Sequence, residues 1–568
     1  MGTILGVWDG HDSGAALVCD GRIVAAVNEE RLTRRKLEVN FPARSIVEVL
    51  ELGGVRAGEV EHVALSTYDL AKTLTRLVPS LKERYYRVRR RKELPGRWWE
   101  GKRRLKYWLT EQRGWTGLNQ RLGGWSVRRR LAELGVVKAV LHWIEHHEAH
   151  AAAAALASGL EAAAVLTLDG VGDGLSGSVS DWDGRTLRRV VELPAADSLG
   201  IFFEQLTFRL NMRELEDEGK AMALACLARP VEDAQNPLLG LFYVDGLRIR
   251  ARLSRSGLFR VLDETFWRYP SEQVAWMAQR LLEVRMAEWA ERVAKELGRE
   301  AVALSGGVFA NVKANRAVRL AGGIRRCFVF PHMGDGGLAL GAALALQLRL
   351  WPGMGVRLGG LYLGPSYTEG QMRAAVEAAG LRASATDDPA RRAAELLCRG
   401  EPIGWFQGRM EYGPRALGAR SILALPDNPA VRDLLNLRLK KRVWYQPYCP
   451  SLLAEEADSY FEDYDGVPNR DMTMAYMVRK PLRSKVQAVI AGDGSCRPQM
   501  VLDAGSEEGL YRRLLEELRR LRGTSLVLNT SFNIHGEPLV CSPEDAVRGF
   551  KEAGLAALVM GNLVVERE

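Results

Sequence analysis

The densest chemistry in the chain lies between Ile144 and Gly159, which reads IEHHEAHAAAAALASG. Alanine is the strongest helix former and neither proline nor internal glycine interrupts the run, so a helix is predicted with His146 and His150 one turn apart on one face. The 568 residues contain only eight histidines, and three fall within five positions here, which favours a metal site over a chance cluster on a solvated or core helix. Two imidazoles at this spacing suit a divalent first-row metal ion when carboxylates complete the set. The apolar run AAVLTLDG ends on Asp169 at a predicted strand tip. A later strand ending at Phe330 leads into a turn carrying Asp335 and then a Gly/Ala-rich helix. His146, His150, Asp169 and Asp335 are therefore the expected ligands, and His147, about 100° round the helix from His146, is a weaker one.

The elements that must position these groups recur. The opening TILGVWDGHDSGAALVCDGRIVAAVNEER reads as strand, turn, strand, turn, strand, with Asp20-Gly21 as a tight hairpin. Its first turn, Asp9 to Gly14, mixes acids, His11 and small residues, a composition that brings backbone N–H groups to a phosphate and carboxylates to a metal-bound water. From Val165 the pattern returns, with an acidic Gly-rich turn and an Asp183-Gly184 hairpin. Two copies suggest a duplicated unit with a cleft between its halves, an arrangement that resembles the actin, sugar kinase and heat-shock ATPase superfamily; a turn motif shared by unrelated hairpins is the alternative. AVALSGGVFANVKANR, from Ala301, adds a buried strand, a Gly306-Gly307 turn and a helix opening with Asn311 and Asn315, where a flat ring or phosphate can approach the backbone.

Composition bounds the rest. Hydrophobic residues at 47% and charged residues at 26% are ordinary globular values, and the length allows more than one core. Seven scattered cysteines without a C-x-x-C suit a reducing cytosol, and no N-terminal stretch resembles a signal peptide, so a cytoplasmic protein is expected. The longest apolar run, about Ala151 to Leu168, is broken by Gly159 and Glu161, so no transmembrane segment is predicted. The net charge of +9 hides an asymmetry: residues 72–130 hold 19 basic and 4 acidic residues, a local +15, leaving the remainder near −6. That insertion carries RVRRRK at Arg87 to Lys92 with Trp98, Trp99, Trp108, Trp115 and Trp125. Arginine beside exposed aromatics suits nucleic acid or an anionic surface; the alternative is a helical insertion with tryptophans packed inward and arginines solvated.

In the second half, Leu348 to Gly370 reads as an interdomain connection. GWFQGRMEYGPRALGARS, from Gly404, sets Arg409, Arg415 and Arg420 around Gly-Pro turns, where three guanidinium groups form a fork for phosphate or carbamate oxygens. Asn529, Thr530, Ser531 and Asn533 follow the apolar run Ser525 to Leu528, at a strand end where side-chain donors converge.

HDSGAALV, EERLTRRK with Phe41-Pro42, HHEAHAAAA, EGKAMALA, SGGVFAN, GDGGLALG, GRMEYGPRALGARSIL and NTSFNIHGEPLVCSPEDA follow one another over nearly the whole chain, apart from the basic insertion. In these motifs the sequence closely resembles the O-carbamoyltransferases of nodulation-factor and antibiotic biosynthesis. The resemblance implies an α/β protein with a duplicated actin-like (RNase H-like) ATPase-type domain over 1–355, similar to the universal tRNA threonylcarbamoyl-transfer protein and binding iron and nucleotide. It implies an α/β YrdC-like carbamoyladenylate-forming domain over 356–568. The metal set it implies is the four residues already named. It further implies nucleotide contacts at Lys36, Gly172, Gly306, Gly307, Asn311 and Gly334, and carbamoyl phosphate or ATP contacts at Arg409, Arg415, Arg420, Lys440, Arg442, Ser451, Asn529, Ser531 and Asn533. Glu148 stands where leucine is common, alanine fills the small position before the final Ala of the metal helix, and the insertion is unusually basic, which puts the acceptor in doubt.

The activity implied is joining of carbamoyl phosphate and ATP, through carbamate, into carbamoyladenylate, then transfer of the carbamoyl group to a small hydroxylated acceptor. The cofactors implied are Fe(2+) or another divalent transition metal, and Mg(2+) with ATP. His11, Asp12 and His147 are the candidate bases, unranked. A tRNA-modifying enzyme with the insertion as RNA arm, and a non-catalytic nucleotide-binding regulator, are the alternatives; a homodimer is compatible with each.

Overall fold

The computed structural model describes residues 2–111, 116–356, 358–502 and 505–567; Trp115 lies outside the described residues. The chain divides into two compact units, one of Met1–Glu29 with Leu37–Gly359, the other of Glu30–Lys36 with Gly360–Glu568.

The first unit contains the same sheet twice. Strands β1 (Thr3–Trp8), β2 (Gly14–Cys19) and β3 (Arg22–Asn28) form an antiparallel meander, and β4 (His62–Ser66) and β5 (Val140–Ile144) extend it from β1 in parallel, giving the order β3-β2-β1-β4-β5. Strands β6 (Ala163–Gly172), β7 (Leu175–Trp182) and β8 (Leu187–Pro194) form a second meander. After a separate hairpin, β9 (Phe242–Asp245) and β10 (Arg248–Ala251), strands β11 (Ala301–Ser305) and β12 (Arg326–Val329) extend it from β6 in parallel. The order β12-β11-β6-β7-β8 matches the first sheet strand for strand, with β6 in the place of β1. The duplication inferred from the two hairpins is thus present in the strand order.

Two helices run through the core of this unit. His146–Ala157 and Leu338–Leu350 are buried along most of their length, which accounts for their lack of a polar face. Their backbones approach so closely that a Cβ at Gly341 would fall 2.3 Å from the Ala149 carbonyl oxygen. The alanine run that signalled a helix therefore also lets this helix pack against its neighbour.

Between β4 and β5 lies the basic insertion, as helices Leu70–Leu77, Pro79–Arg89, Trp99–Glu111 and Thr116–Glu133. Its polarity is the reverse of the inward-tryptophan arrangement. Arg76, Arg89 and Arg103 are buried, whereas Trp98, Trp108 and Trp125 are 73%, 55% and 64% exposed. Acids elsewhere in the unit account for the buried cations: Arg76 forks onto Asp9 at 2.9 and 3.1 Å, Arg89 reaches Glu204 at 2.6 Å and Glu214 at 3.2 Å, and Arg103 reaches Glu214 at 2.9 Å. Buried charge is tolerable when so paired.

The second unit is built on one sheet of eight strands: β13 (Ser384–Ala385), β14 (Ile403–Phe406), β15 (Arg420–Ala424), β16 (Cys449–Leu453), β19 (Gln499–Val501), β20 (Val527–Ser531), β21 (Ala557–Met560) and β22 (Leu563–Glu566), with β17 (Tyr476–Met477) and β18 (Ser495–Cys496) apart. The order is β13-β22-β21-β14-β15-β20-β16-β19. Helices Pro389–Cys398 and Gly505–Arg522 carry part of its core, around Trp405 and Leu514. Glu30–Lys36, expected within 1–355, belongs to this unit. Arg31 donates to the Gly413 carbonyl at 2.9 Å, and Arg34 donates to those of Leu539 and Pro538 at 2.6 and 3.0 Å and pairs with Asp545. Among the described residues no helix is long and apolar enough to cross a membrane.

Candidate metal centre and cationic pocket

The helix that carries the histidines begins where two carboxylates fix it. Glu145 is the N-cap and accepts from the amides of His147 and Glu148 at 3.1 and 2.8 Å. Asp173, in a left-handed turn after β6, accepts from the amides of His146, Tyr68 and Asp69 at 2.9 Å each, tying the helix start to the end of β4. Asp173 was not legible as a functional residue, because its role depends on contacts far apart in sequence.

From this helix His146 and His150 direct Nε2 at the same two carboxylates. His146 Nε2 lies 3.1 Å from Asp169 and 3.6 Å from Asp335; His150 Nε2 lies 3.4 and 3.7 Å from them. One donor atom from each of the four residues falls within 4.8 Å of all the others. The opposite ring nitrogens are held: His146 Nδ1 by Thr67 Oγ1 at 3.0 Å, and His150 Nδ1 by Ser305 Oγ at 3.2 Å. Ser305 itself donates to the Met333 carbonyl, so it accepts from a proton on His150 Nδ1, which leaves the Nε2 lone pair facing the carboxylates.

That arrangement fits a cation. His150 Nε2 is buried and has no hydrogen-bond partner of acceptable alignment. Burial opposes protonation of His146, yet Asp335 and Asp169 outweigh it and push the imidazole up to about 9. The cluster thus favours positive charge at its centre, and two imidazoles with two carboxylates are a donor set for a divalent first-row ion. Two glycines make room: a Cβ at Gly172 would fall 2.1 Å from the His146 ring, and one at Gly307 would fall 2.7 Å from Asp169 Oδ1.

His11 and Asp12 reach the same place from the β1–β2 turn. His11 Nε2 is 3.1 Å from Asp335 and its Nδ1 is 3.4 Å from Asp12; burial works against its charge, but Asp335 and Asp12 raise it to about 9. Tyr86 of the insertion sets its ring edge against His11, with centroids 5.4 Å apart, a neighbour no sequence signal marked. His147, by contrast, is fully buried with Nδ1 at Thr167 Oγ1 and Nε2 at the Leu175 carbonyl, 3.0 and 3.2 Å away. Burial and the neighbouring His146 push it down to about 3, so its expected place among the bases is corrected to a core contact.

The nucleotide contacts expected in this unit divide. Gly334 has open space where a side chain would stand. Gly172 and Gly307 instead accommodate His146 and Asp169, and a Cβ at Gly306 would meet the Leu168 carbonyl oxygen at 2.1 Å, so strand packing explains it. Asn311 caps the helix Val312–Arg319 and exchanges two hydrogen bonds with Gln279, which commits its amide. Lys36 lies in the second unit, where its charge acts on Lys440.

In the second unit, Lys440 is buried and donates to Ser531 and Asn533, with Nζ 2.6 Å from Asn533 Oδ1. Burial, with Arg442 and Lys36 adding to it, holds its ammonium well below the usual lysine range. Arg415 is pushed down to about 9 by burial with Arg497 beside it. Arg415 Nε and Arg442 Nη2 are buried without hydrogen-bond partners, and Arg497 donates to Cys449 Sγ at 3.0 Å. The unpartnered Arg415 and Arg442 nitrogens suit an anion. Arg497, next to Cys496, was missed because nothing in the sequence marks it.

Four expected members have other tasks. Arg420 donates to the carbonyls of Gln407, Ala419, Gly408 and Pro365 over the Phe406 ring, and Arg409 donates to those of Leu363 and Gly364. Both hold loops together, so the expected three-arginine fork is corrected. Ser451 and Asn529 hydrogen-bond to each other and to Gln499 in a buried network.

Comparison with known families decides the identity. The Carbamoyltransferase N-terminus family matches residues 3–344 and the Carbamoyltransferase C-terminus family residues 394–567. The chain belongs to the carbamoyltransferase family. This transferase is 31% identical to the nodulation protein NolNO of Sinorhizobium fredii over 98% of its own length and 79% of that protein. It is 32% identical to the uncharacterized protein sll1178 of Synechocystis over 98% and 95%. Among solved structures, full-length HypF in the phosphate- and nucleotide-bound form aligns with TM-score 0.34 and 15% identity, covering 62% of this chain and 47% of that one.

Proposed function

We propose that the enzyme is an ATP-dependent O-carbamoyltransferase that works in two half-reactions. The second unit, read as YrdC-like, joins carbamoyl phosphate, through carbamate, with ATP into carbamoyladenylate, releasing phosphate and pyrophosphate. The first unit, read as actin-like, passes the carbamoyl group to a hydroxyl of a small sugar or natural-product acceptor, and AMP leaves. The convergence of His146, His150, Asp169 and Asp335, with both imidazoles presenting Nε2, carries this reading.

A divalent ion, iron by family resemblance, held by these four residues would supply a Lewis acid to the carbamoyl donor. Thr67 and Ser305 hold the orientations of the two rings, so the donor set is organised before any substrate binds. Asp12, whose carboxyl His11 holds below its ordinary range despite burial, is ionised and partly open to solvent, and it is the group best placed to accept the acceptor's hydroxyl proton. His11 holds a proton between Asp12 and Asp335 and orients both. In the second unit, Lys440, Arg442 and Arg415 bind and orient phosphate oxygens of carbamoyl phosphate and Mg(2+)-bound ATP in a pocket that excludes water, which a short-lived carbamate requires. Of the basic residues of the insertion, Arg76, Arg89 and Arg103 face acids inside the unit and are not available to an RNA.

Incubation with ATP and carbamoyl phosphate is expected to yield AMP and pyrophosphate once an accepted alcohol is present. His150→Ala should abolish carbamoyl transfer while sparing adenylate formation. Loss of both half-reactions to the same degree would refute the division of labour.

A further inference from the structure

The insertion presents to solvent what its sequence would be expected to bury. On the helix Thr116–Glu133, the exposed positions Leu118, Arg121, Leu122, Trp125, Arg128 and Arg129 recur every three or four residues and form one face, while Asn119 and Ser126 lie buried on the other. The helix Trp99–Glu111 repeats this with Lys102, Leu105 and Trp108, and Leu74, Leu77 and Leu81 do so on the two helices before it. Exposed large apolar residues in such numbers mark an interaction surface.

Three kinds of partner compete, and the charge and side-chain types separate them. A second copy of this chain would set two faces rich in arginine against each other, which repulsion disfavours. A nucleic acid would use the arginines and tryptophans but gains nothing from leucines, because stacking requires flat rings and phosphates require cations. A membrane surface with anionic headgroups uses all three: leucines enter the acyl boundary, tryptophans sit at headgroup level, and arginine and lysine pair with the phosphates. From the exposed leucine and tryptophan flanked by arginine on successive helices, we infer that the insertion docks this enzyme on an anionic membrane surface, lying on the bilayer and not crossing it. The buried arginines of the same segment fasten the docking helices to the catalytic unit through Asp9, Glu204 and Glu214.

The test is co-sedimentation of the full-length protein with vesicles of phosphatidylcholine alone and of phosphatidylcholine mixed with phosphatidylglycerol. Binding is expected with the mixed vesicles, weakening as salt is raised, with a blue shift of tryptophan emission. Combined replacement of Trp108, Leu122 and Trp125 by serine should weaken vesicle binding about tenfold or more. Combined replacement of Arg121, Arg128 and Arg129 by glutamate, which leaves the apolar residues in place, should remove the preference for anionic lipid. Far-UV circular dichroism and the unfolding midpoint verify that both variants fold; should the serine variant fail to fold, the glutamate variant carries the test. Vesicle binding that is absent, insensitive to lipid charge or unchanged in the variants would overturn the inference. So would a dimer that the variants dissociate, or RNA retention that they abolish, in a protein that ignores vesicles.

Discussion

In each of the two copies of the sheet in the first unit an Asp-Gly pair follows the regularly paired part of the central strand, and the two aspartates have opposite fates. Asp169, just past the regular pairing of β6, meets His146 and His150 and faces a cluster suited to a cation. Asp9, just after β1, is buried under cations from the insertion: Lys72 at 2.9 Å, the Arg76 guanidinium, and Lys82 close to its backbone carbonyl. Burial would raise the Asp9 carboxyl, but Arg76, Lys72 and Lys82 hold it well below the usual carboxylate range. Equivalent acids in a duplicated fold are thus divided between a cluster suited to a cation and anchorage of the insertion.

The largest expected effect follows from Asp169→Asn. Removing one anionic donor should lower bound transition metal and carbamoyl transfer on the order of a hundredfold or more, measured by metal analysis and acceptor carbamoylation, with adenylate formation unchanged. Asp9→Asn should do the reverse. Breaking a buried pair leaves uncompensated cations and costs about 3–5 kcal/mol in urea unfolding, with metal content retained in the folded fraction. If Asp9→Asn proved neutral in stability, the anchoring half of the comparison would fail.

Smaller changes sharpen the contrast. Ser305→Ala and Thr67→Val leave all four ligands in place but free the imidazoles to rotate, so each should weaken metal affinity about 10–100-fold without a large shift in unfolding midpoint. The pH dependence of stability distinguishes Asp9 further. Its folded pKa is lowered, so as pH falls to the unfolded value of about 3.9 and below the native state binds fewer protons there than the unfolded chain; the stability it contributes is present above that value and is lost as pH falls toward the folded value. Unfolding followed from pH 6 downward should show an acid-side decline that Asp9→Asn reduces.

Local chemistry was legible in the sequence and long-range partnership was not. His146 and His150 follow from helical spacing, Asp169 from its place at a predicted strand tip and Asp335 from the turn between a strand and a helix, because those signals lie within a few residues. The roles of Thr67, Ser305 and Asp173 depend on contacts from 27 to 155 residues apart, which no local pattern encodes. His147 shows the limit of composition: the same residue type, one position along, faces Thr167 and a carbonyl. Arg420 shows the limit of charge, since a guanidinium among Gly-Pro turns is as well suited to knitting carbonyls together as to binding phosphate. In the insertion, a helical segment is among the readings of the sequence but its inward face is not, because acids on other elements, Asp9, Glu204 and Glu214, turn three of the arginines inward. Glu30–Lys36 crosses into the second unit through Arg31 and Arg34, a passage that chain order conceals.

The most direct measurement is transition-metal content of the purified full-length enzyme beside His150→Ala, with both half-reactions followed in the same preparations. A stoichiometric metal ion is expected in the wild type and its loss in the variant, with loss of carbamoyl transfer and of AMP release while pyrophosphate formation from ATP and carbamoyl phosphate stays intact. A wild-type enzyme that transfers carbamoyl groups while free of any transition metal would contradict it.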